Sequence, residues 1–323
     1  MAPRRNLRPP PRAWRPHKGD GFFDLQVNGF AGVDFQQDGL RARDLSRAVE
    51  ALLRHRTDRI LLTLITDRID RLCARLERVE AARRRNPRIA ATVVGYHIEG
   101  PHLLPHRGYS GAHDARLMRP PSIREFDRLW EASAGNIRLV TVAPELPGSA
   151  EFIRHVVSRG VRASVGHSNA DERAIDEAIR AGLSLCTHLG NGVPQRMHRH
   201  DNVIQRLLAR DELYAAFIPD GIHLPPFALK NFVRAKPASR VLFTTDCMAA
   251  AGAPPGSYRI GKLLTHVGPD GIVRQPGERR SFAGSSLTMD AAVRNVQLMV
   301  GWTRAQATSA CSQRVATYLG FAR

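Results

Sequence analysis

From Gly21 onward, short apolar runs rich in β-branched residues alternate with longer stretches of helical spacing. Phe22–Gly29, Arg59–Thr66, Ala91–Gly100, Ile137–Glu145, Val161–Ser168, Leu183–Asn191, Leu213–His223 and Arg240–Cys247 read as strands. Helical spacing fills the intervals, as in Leu45–His55, Ile69–Arg85, Ala170–Ala181 and Phe227–Ala235. Such alternation predicts an α/β fold with a parallel sheet, and eight units predict a closed (β/α)8 TIM barrel. A doubly wound open sheet is the alternative. It would carry a glycine-rich phosphate loop after its first strand, and the NGFAGVDF that stands there lacks the GxGxxG spacing.

The polar residues that close the apolar runs carry more information than the runs themselves. In order they are Gln26 and Asn28, His97 and Glu99, His167, His188 and Asn191, Asp220 and His223, and Asp246. In a barrel these ends converge on the rim where such folds keep their active sites. A carboxylate such as Glu99, straight after a buried run, needs a positive partner or a cation. One carboxylate and two histidines from different strands suit a borderline ion such as Zn²⁺, with a fourth position left for water. An aspartate on the last strand could take that water's proton. Any single histidine at a strand end is more often structural, Asp220 reads as a turn residue, and His102, His106, His198 and His200 read as loop residues.

Composition narrows the setting. The 323 residues are 43% hydrophobic, enough for a sizeable core, and carry a formal charge of +18. That charge raises nucleic-acid binding as a function class. The arginines, however, are spread along the helices rather than gathered in one block, which describes an arginine-rich surface that attracts anionic substrates. No nucleic-acid partner is expected. No apolar stretch is long enough to cross a membrane, and the N-terminus lacks a secretory apolar run. Cys73, Cys186, Cys247 and Cys311 are far apart and form no CxxC pair, which points to a reducing, cytoplasmic compartment. Residues 1–20 are rich in proline and arginine and read as a disordered basic tail, leaving 21–323 for the barrel.

Nine motifs, in order, carry a resemblance: DLQVNGFAGVDF, GYHIEGPHL, GAH, TVAPE, VGHSNA, THLGNG, DGIHL, TTDCMAAAG and AGSSLT. From about Gly21 to Gly320 the chain resembles the N-acetylglucosamine-6-phosphate deacetylases of the amidohydrolase superfamily. The resemblance implies a metal-dependent hydrolase that removes the acetyl group from a phosphorylated amino sugar. It implies one divalent metal, Zn²⁺, on Glu99, His167 and His188, with Asp246 as catalytic acid and base. His223 would contact the substrate and polarise its amide carbonyl. Asn191, Gly192 and Arg199 would hold the sugar phosphate, and Ala112 and Ala283–Gly284–Ser285 would flank the sugar beside a flap at about 253–282. Homodimers are common in the family.

Three departures from the family pattern shape the expectations. Gln26-Val27-Asn28 stands where many amidohydrolases carry His-x-His, which implies a single metal. THLGNGV stands where the family usually has a bulky aromatic and an alanine, so Gly190 should open space beside the metal and Gly192 should loosen the phosphate-binding turn. The chain leaves no room for the family's small accessory β-sandwich, so the barrel should stand alone. An amidohydrolase acting on another small amide is the competing reading, followed by a basic nucleic-acid-binding or non-catalytic barrel.

Overall fold

The computed structural model describes residues 21–275 and 278–321; the basic tail at 1–20 lies outside the described residues. Eight parallel strands follow one another around a single sheet in chain order. They are β1 (Phe22–Val27), β2 (Thr57–Ile65), β3 (Val93–Glu99), β4 (Ile137–Val142), β5 (Arg162–Val165), β6 (Leu183–Cys186), β7 (Tyr214–Phe217) and β8 (Val241–Phe243). Helices cross between them and bury one stripe each. In Ala42–Arg54 that stripe is Leu45, Ala48, Val49 and Leu52, the spacing of one helical face. This is the expected TIM barrel.

The seam between β8 and β1 is made differently from the other seven joints. A single parallel bridge links Val27 to Cys247, and the Asn28 N–H donates to the Cys247 carbonyl at 2.7 Å. Asp24 supplies the rest. Its buried carboxylate accepts from the Thr244 hydroxyl at 2.6 Å and from both the hydroxyl and the N–H of Thr245. The lower interior is apolar, with Leu25, Leu61, Leu139, Leu185 and Leu242 packed together. Helix Gln313–Leu319 seals it from below through Val315, Ala316 and Tyr318, so the amino-terminal mouth of the barrel is plugged and only the carboxyl rim is open to chemistry.

Some element ends differ from the sequence reading. β3 begins at Val93 rather than Ala91, because Pro87–Thr92 forms a short helix whose first turn is capped by Asn86, which accepts from the N–H groups of Arg88 and Ile89. β5 to β8 stop short of the predicted ends, so that His167, His188, His223 and Asp246 all lie beyond their strands. The reason is backbone conformation: His167, His188 and Asp246 have φ values of 52°, 28° and 48°, which no strand can contain.

The stretch expected as a flap is an antiparallel sheet of four strands in sequence order, β9 (Gly256–Ile260), β10 (Leu263–Val267), β11 (Val273–Gln275) and β12 (Glu278–Phe282). Ile260, Val267 and Val273 pack it against Ile65, Met248 and Ala249 on the rim. The Gly261 N–H, at its first turn, donates to Asp34 Oδ2 at 2.9 Å. No described helix is long and apolar enough to cross a membrane.

Candidate metal centre and active site

Glu99 is the last residue of β3 and is buried. His188 Nε2 lies 2.9 Å and His167 Nε2 3.3 Å from the same oxygen, Glu99 Oε1. His113 Nε2 faces the other oxygen, Oε2, at 3.7 Å. The ligand-type atoms of Glu99, His113 and His167 all fall within 4.8 Å of one another, which makes the group a candidate metal centre.

Local structure aims each ring. His188 sits between two outward-bonded neighbours: the Thr187 N–H donates to the Val165 carbonyl and the Leu189 N–H to the Ala216 carbonyl, each at 2.8 Å. His167 has its Nδ1 2.6 Å from the Tyr109 carbonyl, an acceptor only, so Nδ1 carries the proton and Nε2 turns to the cluster as a lone pair. His113 is arranged the other way. Its Nδ1 accepts from the Thr66 N–H at 3.3 Å and lies 2.8 Å from the Thr66 hydroxyl, which places the neutral ring's proton on Nε2.

The electrostatics follow from this crowding. Burial works against a charged Glu99, yet His167 and His188 at its Oε1 and His113 at its Oε2 hold it well below the usual carboxylate range. Burial also opposes charge on His188, but Glu99 more than offsets it and leaves that ring above its ordinary value. His113, with burial as the main cause and His167 beside it, drops to about 3.

Asp246 lies three residues past the end of β8. Its Oδ1 accepts from Asn28 Nδ2 at 2.7 Å. Burial first, then the charge of Glu99, pushes it up to about 7, against the pull of His188, His223 and Asn28. The loop beneath it is braced by Ser285, whose N–H donates to the Asp246 carbonyl at 2.9 Å and whose hydroxyl donates to the Thr245 carbonyl at 2.6 Å. Beyond β7, Asp220 closes the turn as expected, accepting on Oδ1 from the N–H groups of Ile222 and His223. It does more: Oδ2 meets His223 Nδ1 at 2.6 Å and so orients that ring.

The remaining expected residues are less tightly joined to the centre. Asn191 Nδ2 donates to the His188 carbonyl at 3.1 Å. Ala112 is half-buried against the base of the insert, Ala283 is fully buried, Gly284 passes close to the Asp246 carbonyl, and Arg199 is exposed on the loop after His188. Two expectations about glycines are corrected. Gly190 opens no space beside the centre, because a Cβ there would meet Leu224 at 2.9 Å and Phe232 at 3.1 Å; those side chains already fill the gap. Gly192 does not loosen its turn either. A Cβ there would stand 2.8 Å from His167 Nδ1, so its bareness lets the backbone press on that ring. Sequence reasoning passed over His113, whose signal was the GAH motif, and the Asn28 bond to Asp246. A cavity of about 330 Å³ lies beside His113, between the loop at Gly111–Leu117 and the insert turn at Ile260–Leu263.

A parallel eightfold barrel with a carboxylate, imidazoles and a second carboxylate at the carboxyl ends of its strands defines a member of the amidohydrolase superfamily. No protein-family model matches the chain. The chain is 30% identical over 302 residues to the N-acetylglucosamine-6-phosphate deacetylase of Bacillus subtilis, spanning 93% of this chain and 74% of that one. It is 33% identical over 301 residues to the N-acetylgalactosamine-6-phosphate deacetylase of Escherichia coli, spanning 93% and 77%. Among solved structures, the N-acetyl-D-glucosamine-6-phosphate deacetylase of Mycobacterium smegmatis matches with a TM-score of 0.83 at 30% identity, over 93% of this chain and 78% of that one. The chain belongs to the N-acetylglucosamine-6-phosphate deacetylase family.

Proposed function

We propose that this chain hydrolyses the acetyl amide of N-acetylglucosamine 6-phosphate, or of a close N-acetyl sugar phosphate, giving the amino sugar phosphate and acetate with one divalent ion, Zn²⁺. The observation that carries the reading is the convergence of His167 and His188 on one oxygen of Glu99, with Asp246 alongside.

The donor set suits a borderline cation: one carboxylate oxygen and two imidazole nitrogens, which leave the fourth position of a tetrahedral site for water. Hydrogen bonding sets His167 apart from His113. His167 offers a lone pair on Nε2, whereas His113 offers a proton there. By resemblance to the family, Glu99, His167 and His188 would hold the ion, with His113 beside it. A divalent ion held there would supply Lewis acidity, lowering the pKa of water towards about 7.

The chain's own groups would do the rest. Asp246, anchored on Oδ1 by Asn28, accepts the proton of the attacking water. His223, held through Nδ1 by Asp220, would present Nε2 to the acetyl carbonyl and, as an imidazolium with a proton on each ring nitrogen, donate to the oxygen on which charge develops. Asp246, poised near neutrality, then passes the proton to the leaving amine. Arg199, with Asn191 and Gly192, holds the phosphate, for which a guanidinium fork is well shaped. Ala112 and Ala283–Gly284–Ser285 flank the sugar. The unpaired cysteines support a cytoplasmic setting.

Elemental analysis of the purified protein should find one divalent ion per chain. Turnover should then be measured on N-acetylglucosamine 6-phosphate, its galactosamine epimer and unphosphorylated N-acetylglucosamine. The phosphate esters are expected to react at least about tenfold faster, a charge-assisted contact being worth about 1.5–3 kcal/mol. Equal rates with and without phosphate would overturn the phosphosugar reading. The epimer arm is needed because relatives bearing both substrate names match over the same 93% of the chain.

A further inference from the structure

We infer that a row of buried hydrogen bonds across the barrel interior positions the cation-binding side chains, with Thr187, Thr141 and His97 as positioning residues; the inference rests on the metal reading given above. His97 Nε2 lies 2.7 Å from Thr141 Oγ1. Thr141 Oγ1 lies 2.8 Å from Thr187 Oγ1. Thr187 Oγ1 lies 2.5 Å from Ser164 Oγ. All four residues are 2% exposed or less, so water does not compete for these bonds.

The row's place in the barrel gives it a role. It spans β3, β4 and β5 and reaches the residue after β6. His97 comes two residues before Glu99, Ser164 three before His167, and Thr187 one before His188. Thr141 is the register partner of Glu99 across the β3–β4 ladder. The row thus lies directly under the three donors. These donors need such a floor, since β5 ends at Val165 and β6 at Cys186, and His167 and His188 stand beyond the ladder with left-handed backbones.

The row is not required for filling the barrel. The neighbouring interior is packed with leucine, and an apolar layer of similar volume would satisfy burial alone. What hydroxyls add is direction. Each carries one proton, so the bonds run one way along the row, and losing one member leaves its neighbours short of a partner.

The test measures Zn²⁺ affinity by chelator competition, with apo-protein melting temperature and circular dichroism alongside. Thr187→Val keeps the shape and removes the hydroxyl; Thr187→Ser keeps the hydroxyl. Thr187→Val should weaken Zn²⁺ binding by about tenfold or more, the low end of effects seen when a ligand's outer support is removed, and Thr187→Ser should stay within about threefold of the parent. Thr141→Val should show a similar loss, and the double valine variant should be little worse than either single one, because both break the same row. Parental affinity in Thr187→Val, equal losses in the serine and valine variants, or additive losses in the double variant would each overturn the proposal. Glu99→Gln is the control for the underlying reading. If it binds Zn²⁺ as tightly as the parent, the site itself is misassigned and the row falls with it; if it fails to bind while Thr187→Val binds normally, only the row is refuted.

Discussion

Asp24 joins the two ends of the barrel, and its burial makes a sign-specific prediction. The carboxylate lies in the seam where β8 and β1 share only one bridge, and it accepts from Thr244, Thr245 and the Gln26 N–H. Burial outweighs those bonds and raises it from 3.8 to about 6. The folded protein therefore binds a proton here between about pH 4 and 6, where the unfolded chain has already released it. Stability from this group is greatest in acid and declines as pH rises through about 6. The gap of about 2 units corresponds to about 3 kcal/mol in full, of which about 2 kcal/mol falls between about pH 4.5 and 7.5.

Asp24→Asn has no proton to take up. Its Oδ1 can accept from Thr245 and its Nδ2 can donate to a threonine hydroxyl oxygen, so it should fold at neutral pH with stability within about 2 kcal/mol of the parent. Urea unfolding of both proteins at several pH values, analysed as their difference, cancels the many other groups that titrate in both. The parent should gain on the variant by about 2 kcal/mol on going from about pH 7.5 to 4.5. A difference that stays flat, or one that moves in the variant's favour as pH falls, would refute the assignment of burial as the dominant influence on Asp24. Asp24→Ala, which leaves four donors without an acceptor, should cost at least about 3 kcal/mol at any pH in this range.

Asp246→Asn should lower kcat by about 10²–10⁴ while metal content by elemental analysis stays at the parental value; near-normal turnover would remove Asp246 from the proton transfer. Asp220→Asn keeps the turn acceptor but loses the carboxylate on His223, so kcat should drop at least about tenfold with little change in melting temperature. A loss confined to KM would assign His223 to binding alone. Arg199→Ala should reduce kcat/KM on the phosphorylated sugar by about 10- to 100-fold and leave the unphosphorylated sugar unaffected, as read from parallel steady-state assays.

Which features could be read from residues alone follows from what each depends on. The strand and helix order depends on local hydrophobic period, and Ile69–Arg85 is observed with the predicted ends. Glu99, His167 and His188 stood out because a polar residue closing an apolar run is visible in the chain. The strand ends were overshot because a left-handed φ at His167, His188 or Asp246 leaves no mark on hydrophobicity. The two glycines were misread for a related cause. Whether Gly190 leaves a hole depends on Leu224 and Phe232, distant in the chain, and only the fold brings them to it. His113 escaped because it sits on a loop, outside any run whose end could draw attention to it. Asp220 was half legible: its turn bonds are local and were foreseen, whereas its second oxygen on His223 is a matter of side-chain direction.

These particulars suggest how the barrel divides its labour. Three residues of the centre hold backbone conformations that cost of order 1–3 kcal/mol each for non-glycine residues. The rim also gathers two imidazoles on one buried carboxylate and lifts a second carboxyl to near neutrality. Apolar burial at the other end compensates, through the leucine layer and the Gln313–Leu319 plug, whose buried Tyr318 hydroxyl pairs with Ser184 Oγ at 2.9 Å. Between the two stands the row from His97 to Ser164, whose three hydroxyls each meet a neighbour in the row. Strain at the rim is tolerable only if the strands below it cannot slide or splay to relieve it. A fold that plugs its floor, locks its middle with directional bonds and pins its seam with Asp24 meets that condition, and it does so with residues that never touch a substrate.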